Sequence, residues 1–166
     1  MNPSIAVCGS DFDDEHLNEE ILGMAEEVGR EIARAGAILI CGGRGGVMES
    51  ACKGAKEENG ITVGILPVSK EEANPYVDIP IPTGLGNLRD FLVVNSADAV
   101  IAICGRWGTL NEISFAMILK KPLILMNGSD GVVQEIINNN ILNGDYQIAN
   151  SAKDAVEKAT QLIKGQ

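Results

Sequence analysis

The sequence predicts an α/β fold with a doubly wound, mainly parallel sheet and helices on both faces, and three observations predict it. Short unbroken apolar runs recur along the chain, helical stretches with one apolar face alternate with them, and glycine clusters stand between run and helix. A strand buried on both faces needs no polar alternation, so unbroken runs fit a parallel sheet better than a one-sided antiparallel one.

Ile5 to Cys8 reads as the first strand, ending in Gly9-Ser10. The acidic stretch Asp11 to Glu15 then leads into a helical pattern running to about Ala35, so the unit reads as strand, loop, helix, with carboxylates near the positive end of the helix. Leu17, Ile21, Met24, Val28 and Ile32 fall on one face of it, and Gly36 ends it. The alternation continues with a strand at Ala37–Ile40, a helix at Val47–Glu58 and a strand at Ile61–Leu66. Pro67 to Leu85 holds four of the six prolines and reads as a long loop with a short strand near Tyr76–Ile79, a candidate lid or ligand rim. Beyond it come a helix at Leu88–Ser96, a strand at Ala99–Ile103, a helix from about Thr109 to Leu119 and a strand at Pro122–Met126. A helix at Val132–Asn139, a short strand near Tyr146–Ile148 and a helix at Ala152–Ile163 complete a Rossmann-like pattern with right-handed crossovers.

At 166 residues and 45% hydrophobic composition the chain fits a single domain, 1–166, that buries a core without disulfides or a structural metal. Thirteen basic against twenty-three acidic residues give a net charge of −10, the wrong sign for nucleic acid or an anionic membrane surface. The apolar runs are too short to span a bilayer and the N-terminus has no basic, apolar leader. Cys8, Cys41, Cys52 and Cys104 show no C-x-x-C spacing, so reduced thiols and a cytoplasmic location are expected.

The chain aligned with itself at an offset of 63 places Cys41-Gly42-Gly43-Arg44-Gly45-Gly46-Val47-Met48-Glu49 over Cys104-Gly105-Arg106-Trp107-Gly108-Thr109-Leu110-Asn111-Glu112. Cys, Gly, Gly and Glu coincide, and each copy follows an apolar run and opens a helix. Glycines let a backbone turn tightly and approach a ligand, while the free N–H groups of the following helix attract an anion. Both loops, joined by Gly9 and Ser10, are therefore expected at the carboxyl ends of the strands around a phosphorylated, nucleotide-type ligand. Three of the five arginines, Arg44, Arg89 and Arg106, fall in or near these loops, where a guanidinium fork suits phosphate. The alternative is that they cap helices or pair with surface acids.

These motifs resemble the LOG family of phosphoribohydrolases, often mislabelled lysine decarboxylases, and related molybdenum cofactor carrier proteins. The family pattern is G-G-G-x-x-G-[LV]-M, then an Arg, then P-G-G-x-G-T-x-x-E, and the likeness runs from Ile5 to about Asn127. For the hydrolases the resemblance implies Arg89 and Glu112 as the catalytic pair, with the ligand's 5′-phosphate on Gly108-Thr109 and release of a free base and ribose 5-phosphate. The chain departs from the pattern: Cys104 stands for Pro, Arg106 for the second Gly, Asp90 for the Lys after the Arg, and Asn111 for the Glu before Glu112. The Gly-x-Trp-Gly-Thr-Leu stretch is closer to the carrier-like branch, so binding ranks above reaction. Nothing marks a pyridoxal phosphate lysine, and no resident cofactor is expected.

The remaining candidates read as structural. Cys8, Cys41 and Cys104 end strands and are expected to be buried small hydrophobes rather than metal ligands, although the helix start beside Cys104 favours a lowered thiol pKa there. His16, the only histidine, is placed on a surface helix, which leaves no histidine-based metal site or catalytic triad. Asp11 to Glu15 reads as helix-start acids rather than a Mg²⁺ site, and Trp107 as a residue that stacks on a base or covers its loop. Ile113, Phe115, Ala116, Met117, Ile118 and Leu119 wrap their helix almost fully, which points to a homodimer or higher homo-oligomer.

Overall fold

The structure is a computed structural model in which residues 2–165 are described. In chain order the elements are β1 (Ser4–Gly9), α1 (Glu19–Arg34), β2 (Ile38–Cys41), α2 (Val47–Glu57), β3 (Thr62–Leu66), β4 (Ile79–Pro82) and α3 (Asp90–Asn95). They continue with β5 (Ala99–Ile103), α4 (Trp107–Ile118), β6 (Leu123–Met126), α5 (Gly131–Asn139), β7 (Gln147–Ala149) and α6 (Ala152–Lys164). The seven strands form one parallel sheet in the order β4-β3-β2-β1-β5-β6-β7. The doubly wound α/β expectation is met.

Alternation along each strand divides the core in two. Ile5, Val7, Leu39, Cys41, Ile101 and Ile103 pack beneath α1, α2 and α6, while Ala6, Cys8, Ile40, Val100 and Ala102 pack beneath α3, α4 and α5. Register sets the strand ends level, with Val7 opposite both Cys41 and Ile101 and Gly9 opposite Ile103. The chain leaves β1 toward β2 on one side and returns to β5 on the other, so a crevice opens beyond the carboxyl ends of β1 and β5. No described helix is long and apolar enough to cross a membrane.

Three local expectations need correction. α1 begins at Glu19, four residues after the acidic run, because Asn18 accepts the Ile21 amide and caps it. Asp11 to Glu15 is thus a loop, held by the Asp14 amide donating to the Asp11 carbonyl, and His16 lies in that loop rather than on a helix. The edge strand lies at Ile79–Pro82 rather than Tyr76–Ile79, carrying Pro80 and Pro82 where one flank has no partner strand.

α1 and α2 cross closely because glycines sit at the contact. A Cβ at Gly54 would run into the Glu26 carbonyl oxygen, and one at Gly29 into that of Ala51. Gly54→Ala should therefore destabilise the fold by about 1–3 kcal/mol through overpacking. Gly23→Ala, in the same pair of helices but facing open space, should instead gain about 0.5–1 kcal/mol of helix propensity. Urea unfolding midpoints of the two variants moving in the same direction would contradict this account of the crossing.

Candidate functional site

The crevice holds a cleft of about 620 Å³. Its walls include Gly9 and Ser10 after β1, Arg44 from the first glycine loop, Arg89 and Asp90 at the start of α3, and Arg106, Gly108, Thr109 and Glu112 along α4. The structure therefore brings together eight of the thirteen site residues expected from sequence. Gly42, Gly43, Gly45, Gly46 and Gly105 are not among the residues that line it.

The two glycine loops, alike in sequence, differ in geometry. α2 begins six residues after Cys41, whereas α4 begins three residues after Cys104. At the start of α2 the Val47 amide donates to the Ser10 carbonyl at 2.9 Å, and Gly46 lets that carbonyl approach, so the β1 loop occupies this helix end. In the second loop the Cys104 amide donates to Ser129 Oγ at 2.9 Å and the Gly105 amide to Ser10 Oγ at 2.8 Å. What remains open is the first turn of α4. No side chain caps it, Gly108 faces open space, and the amides of Trp107, Gly108 and Thr109 precede the first intrahelical bond, from the Leu110 amide to the Arg106 carbonyl. Trp107 is 83% exposed beside it.

Gly42 has a different task. A Cβ there would lie 2.7 Å from Arg89 Nη2 and 2.8 Å from Cζ, so its absence is what lets the guanidinium lie flat against the end of β2. Arg89 Nη1 donates to Asp90 Oδ1 at 2.7 Å and stands 3.6 Å from Glu112 Oε1, while its buried Nε has no partner among the described residues. Asn111 Nδ2 donates to the other Asp90 oxygen at 3.1 Å. Two carboxylates thus share one guanidinium in a buried setting. Burial, with Asp90 second, pushes the Glu112 carboxyl up to about 8. Asp90 is also raised by burial, which outweighs the help of Asn111 and Arg89.

The acidic loop closes the opposite wall. Arg106 Nη2 meets Asp13 Oδ1 at 3.0 Å and its Nε stands 3.6 Å from Asp14 Oδ2, while Arg44 Nε meets Asp11 Oδ2 at 3.1 Å. Asp14 Oδ1 accepts from the His16 amide and pairs with the His16 ring. Burial works against ionisation of Asp14, yet these bonds and Ser10 hold its carboxyl below the usual range, and Asp14 in turn raises His16. The three arginines line this cleft, each engaged by an acid, which is the pairing that the alternative reading of the sequence describes. Asp13, Asp14, Asn87, Asp90 and Asn111 also line the cleft but went unassigned in the sequence. Asp90 and Asn111 left a signal as departures beside Arg89 and Glu112, and Asp13 and Asp14 lay in the acidic run read as helix-start acids.

The four cysteines are buried and free, as expected, and no metal-binding group of three or more His, Cys, Asp or Glu occurs among the described residues. Cys104 is a correction: burial raises its thiol rather than the helix end lowering it. On helix α4 Ile113 and Ala116 are buried while Ile118 is 72% exposed, so one side of it is uncovered within this chain.

Glu112 ties the site to stability. Its folded pKa lies above the ordinary 4.5, so the folded state binds more protons than the unfolded one between 4.5 and about 8, and stability falls with rising pH across that window. Glu112→Gln removes this term. Its melting temperature should gain on the wild type as pH rises through the window and converge with it below; parallel melting curves would show that Glu112 ionises freely in the fold.

The SLOG cluster4 family model matches residues 2–160. Among solved structures, the Moco carrier protein from Chlamydomonas reinhardtii superposes with a TM-score of 0.85 at 35% identity, covering 100% of both chains. The molybdenum cofactor binding protein from the phototrophic bacterium Rippkaea orientalis gives a TM-score of 0.83 at 39% identity, covering 99% of this chain and 97% of that one. An uncharacterized protein of Archaeoglobus fulgidus is 42% identical over 115 residues, 65% of this chain and 76% of that protein.

Proposed function

This chain belongs to the SLOG cluster4 family, and on that premise we propose that it binds a phosphorylated, nucleotide-type ligand in the β1/β5 cleft and carries it without turnover. The observation that carries the reading is the uncapped first turn of α4, whose amides open onto a cleft lined by Arg44, Arg89 and Arg106. Unpaired helix amides and guanidinium groups converging on one cavity suit an anion of phosphate type. The Arg106–Asp13 pair is about half exposed, so exchanging Asp13 for a phosphate oxygen costs little. The structural neighbours named as binders or carriers of the molybdenum cofactor support a carrier role and make that cofactor a ligand to test.

Hydrolysis of nucleoside 5′-monophosphates is the second reading, favoured by Arg89 and Glu112 standing 3.6 Å apart. A carboxyl that retains its proton near neutral pH is poorly suited to support positive charge at an anomeric carbon. Incubation with a panel of nucleoside 5′-monophosphates and the molybdenum cofactor separates the two. Thermal stabilisation by a panel member without free base or ribose 5-phosphate supports carriage, whereas base release that Glu112→Gln abolishes establishes the hydrolase. Arg106→Ala should weaken binding about tenfold or more, since hydrogen bonds to charged groups are worth about 1.5–3 kcal/mol.

We also propose a homo-oligomer joined through the uncovered side of α4. Leu88 and Ile118 are 76% and 72% exposed, and between them Phe91 and Phe115 form an edge-to-face pair at 5.4 Å, giving an apolar stripe of the kind that marks an interface. Sedimentation should show a dimer or larger species that Ile118→Glu shifts toward the monomer. A monomeric wild type at micromolar concentration would end this proposal.

A further inference from the structure

The floor of the cleft, behind the phosphate-facing turn, is built from two carboxyl groups and one guanidinium. Arg89 Nη1 is committed to Asp90 at 2.7 Å, and Asp90 is held in place from its other side by Asn111, so Glu112 at 3.6 Å is left with the weaker share of the positive charge. Glu112 is 5% exposed, and its small open surface faces the cleft. The ionisable groups around it are Cys8 from β1, Cys41 from β2, and Arg89 and Asp90 from the start of α3. One cation against two acids cannot neutralise both in a buried setting, and one acid must keep a proton.

We infer that Glu112 is the neutral hydrogen-bond donor of the cleft, kept in its acid form by burial and by the neighbouring Asp90, and that the ligand's non-phosphate end presents it with a carbonyl oxygen or an unprotonated ring nitrogen. The inference rests on the binding function proposed above and goes further by assigning the ligand's second recognition group. Glu112 lies five residues past the first residue of α4, about 7.5 Å along the axis. A phosphate on the first turn and an acceptor on Glu112 therefore fit opposite ends of one ligand. A proton on Glu112 also accounts for binding without chemistry, because the neutral acid donates a hydrogen bond where an ionised one accepts protons.

Two measurements test this, one of them needing no ligand. Infrared difference spectra of the whole protein across pH should show a carboxylic-acid carbonyl band that disappears near 8, is absent from E112Q, and titrates at lower pH in D90N, where one competing negative charge is gone. With adenosine and guanosine 5′-monophosphate as probes, wild-type affinity should fall about tenfold per pH unit above that midpoint. E112Q, whose amide donates at every pH, should lose this step, and E112L should bind about tenfold more weakly below it. No acid band at neutral pH, or one that persists in E112Q, overturns the inference even where a probe binds. A titrating band as described, with neither probe nor the molybdenum cofactor bound at any pH, overturns the functional reading and the donor role with it, while leaving the proton on Glu112 established.

Discussion

Four chain segments meet at the buried guanidinium of Arg89. It lies against Gly42 at the end of β2, is gripped by Asp90 at the start of α3, and faces Glu112 on α4 above the Cys8 end of β1. A buried cation must be paired, and pairing it with two acids creates an excess of negative charge that only a retained proton relieves. The absent side chain at Gly42 and the acid at Asp90 are consequences of placing one arginine there, while burial, with Asp90 second, raises the Glu112 carboxyl against the pull of Arg89.

The scaffold makes that meeting possible. A parallel sheet covered on both faces forces every connection to return over the helices, so all strand ends of one sense collect at one edge. The divergence of β1 to β2 from β1 to β5 then separates two neighbouring loops and leaves the cleft between them. Ser10 spans the gap, its carbonyl taking the Val47 amide and its hydroxyl the Gly105 amide. With these two amides satisfied by protein, the uncapped amides left facing the cleft are those of the first turn of α4.

The charge pattern adds a second theme. A protein of net charge −10 concentrates three of its five arginines in one cleft and sets acids against each of them. Exposed pairs such as Arg106 with Asp13 are weak and exchangeable, and the acidic loop holds these arginines in position at the cleft. The buried Arg89–Asp90 pair, by contrast, is permanent, because breaking it would strand a charge away from water.

The sequence alone determined the strands, since a strand covered on both faces must be apolar throughout, and Ala99–Ile103 is read to the residue. It also placed both glycine loops at the carboxyl ends of strands, and the family resemblance paired Arg89 with Glu112, which stand 3.6 Å apart. The edge strand Ile79–Pro82 was misplaced because its faces are largely exposed and its prolines look like loop residues. The acids Asp11 to Glu15 were misread because a carboxylate preceding a helix is equally at home in a cap or in a loop facing arginine, and only distance in space tells them apart. Tertiary structure decided which amides remain free, which glycine serves an arginine, and which carboxyl burial raises most. Those outcomes depend on how groups from distant segments share hydrogen bonds and exclude water, and residue spacing along the chain carries no record of that.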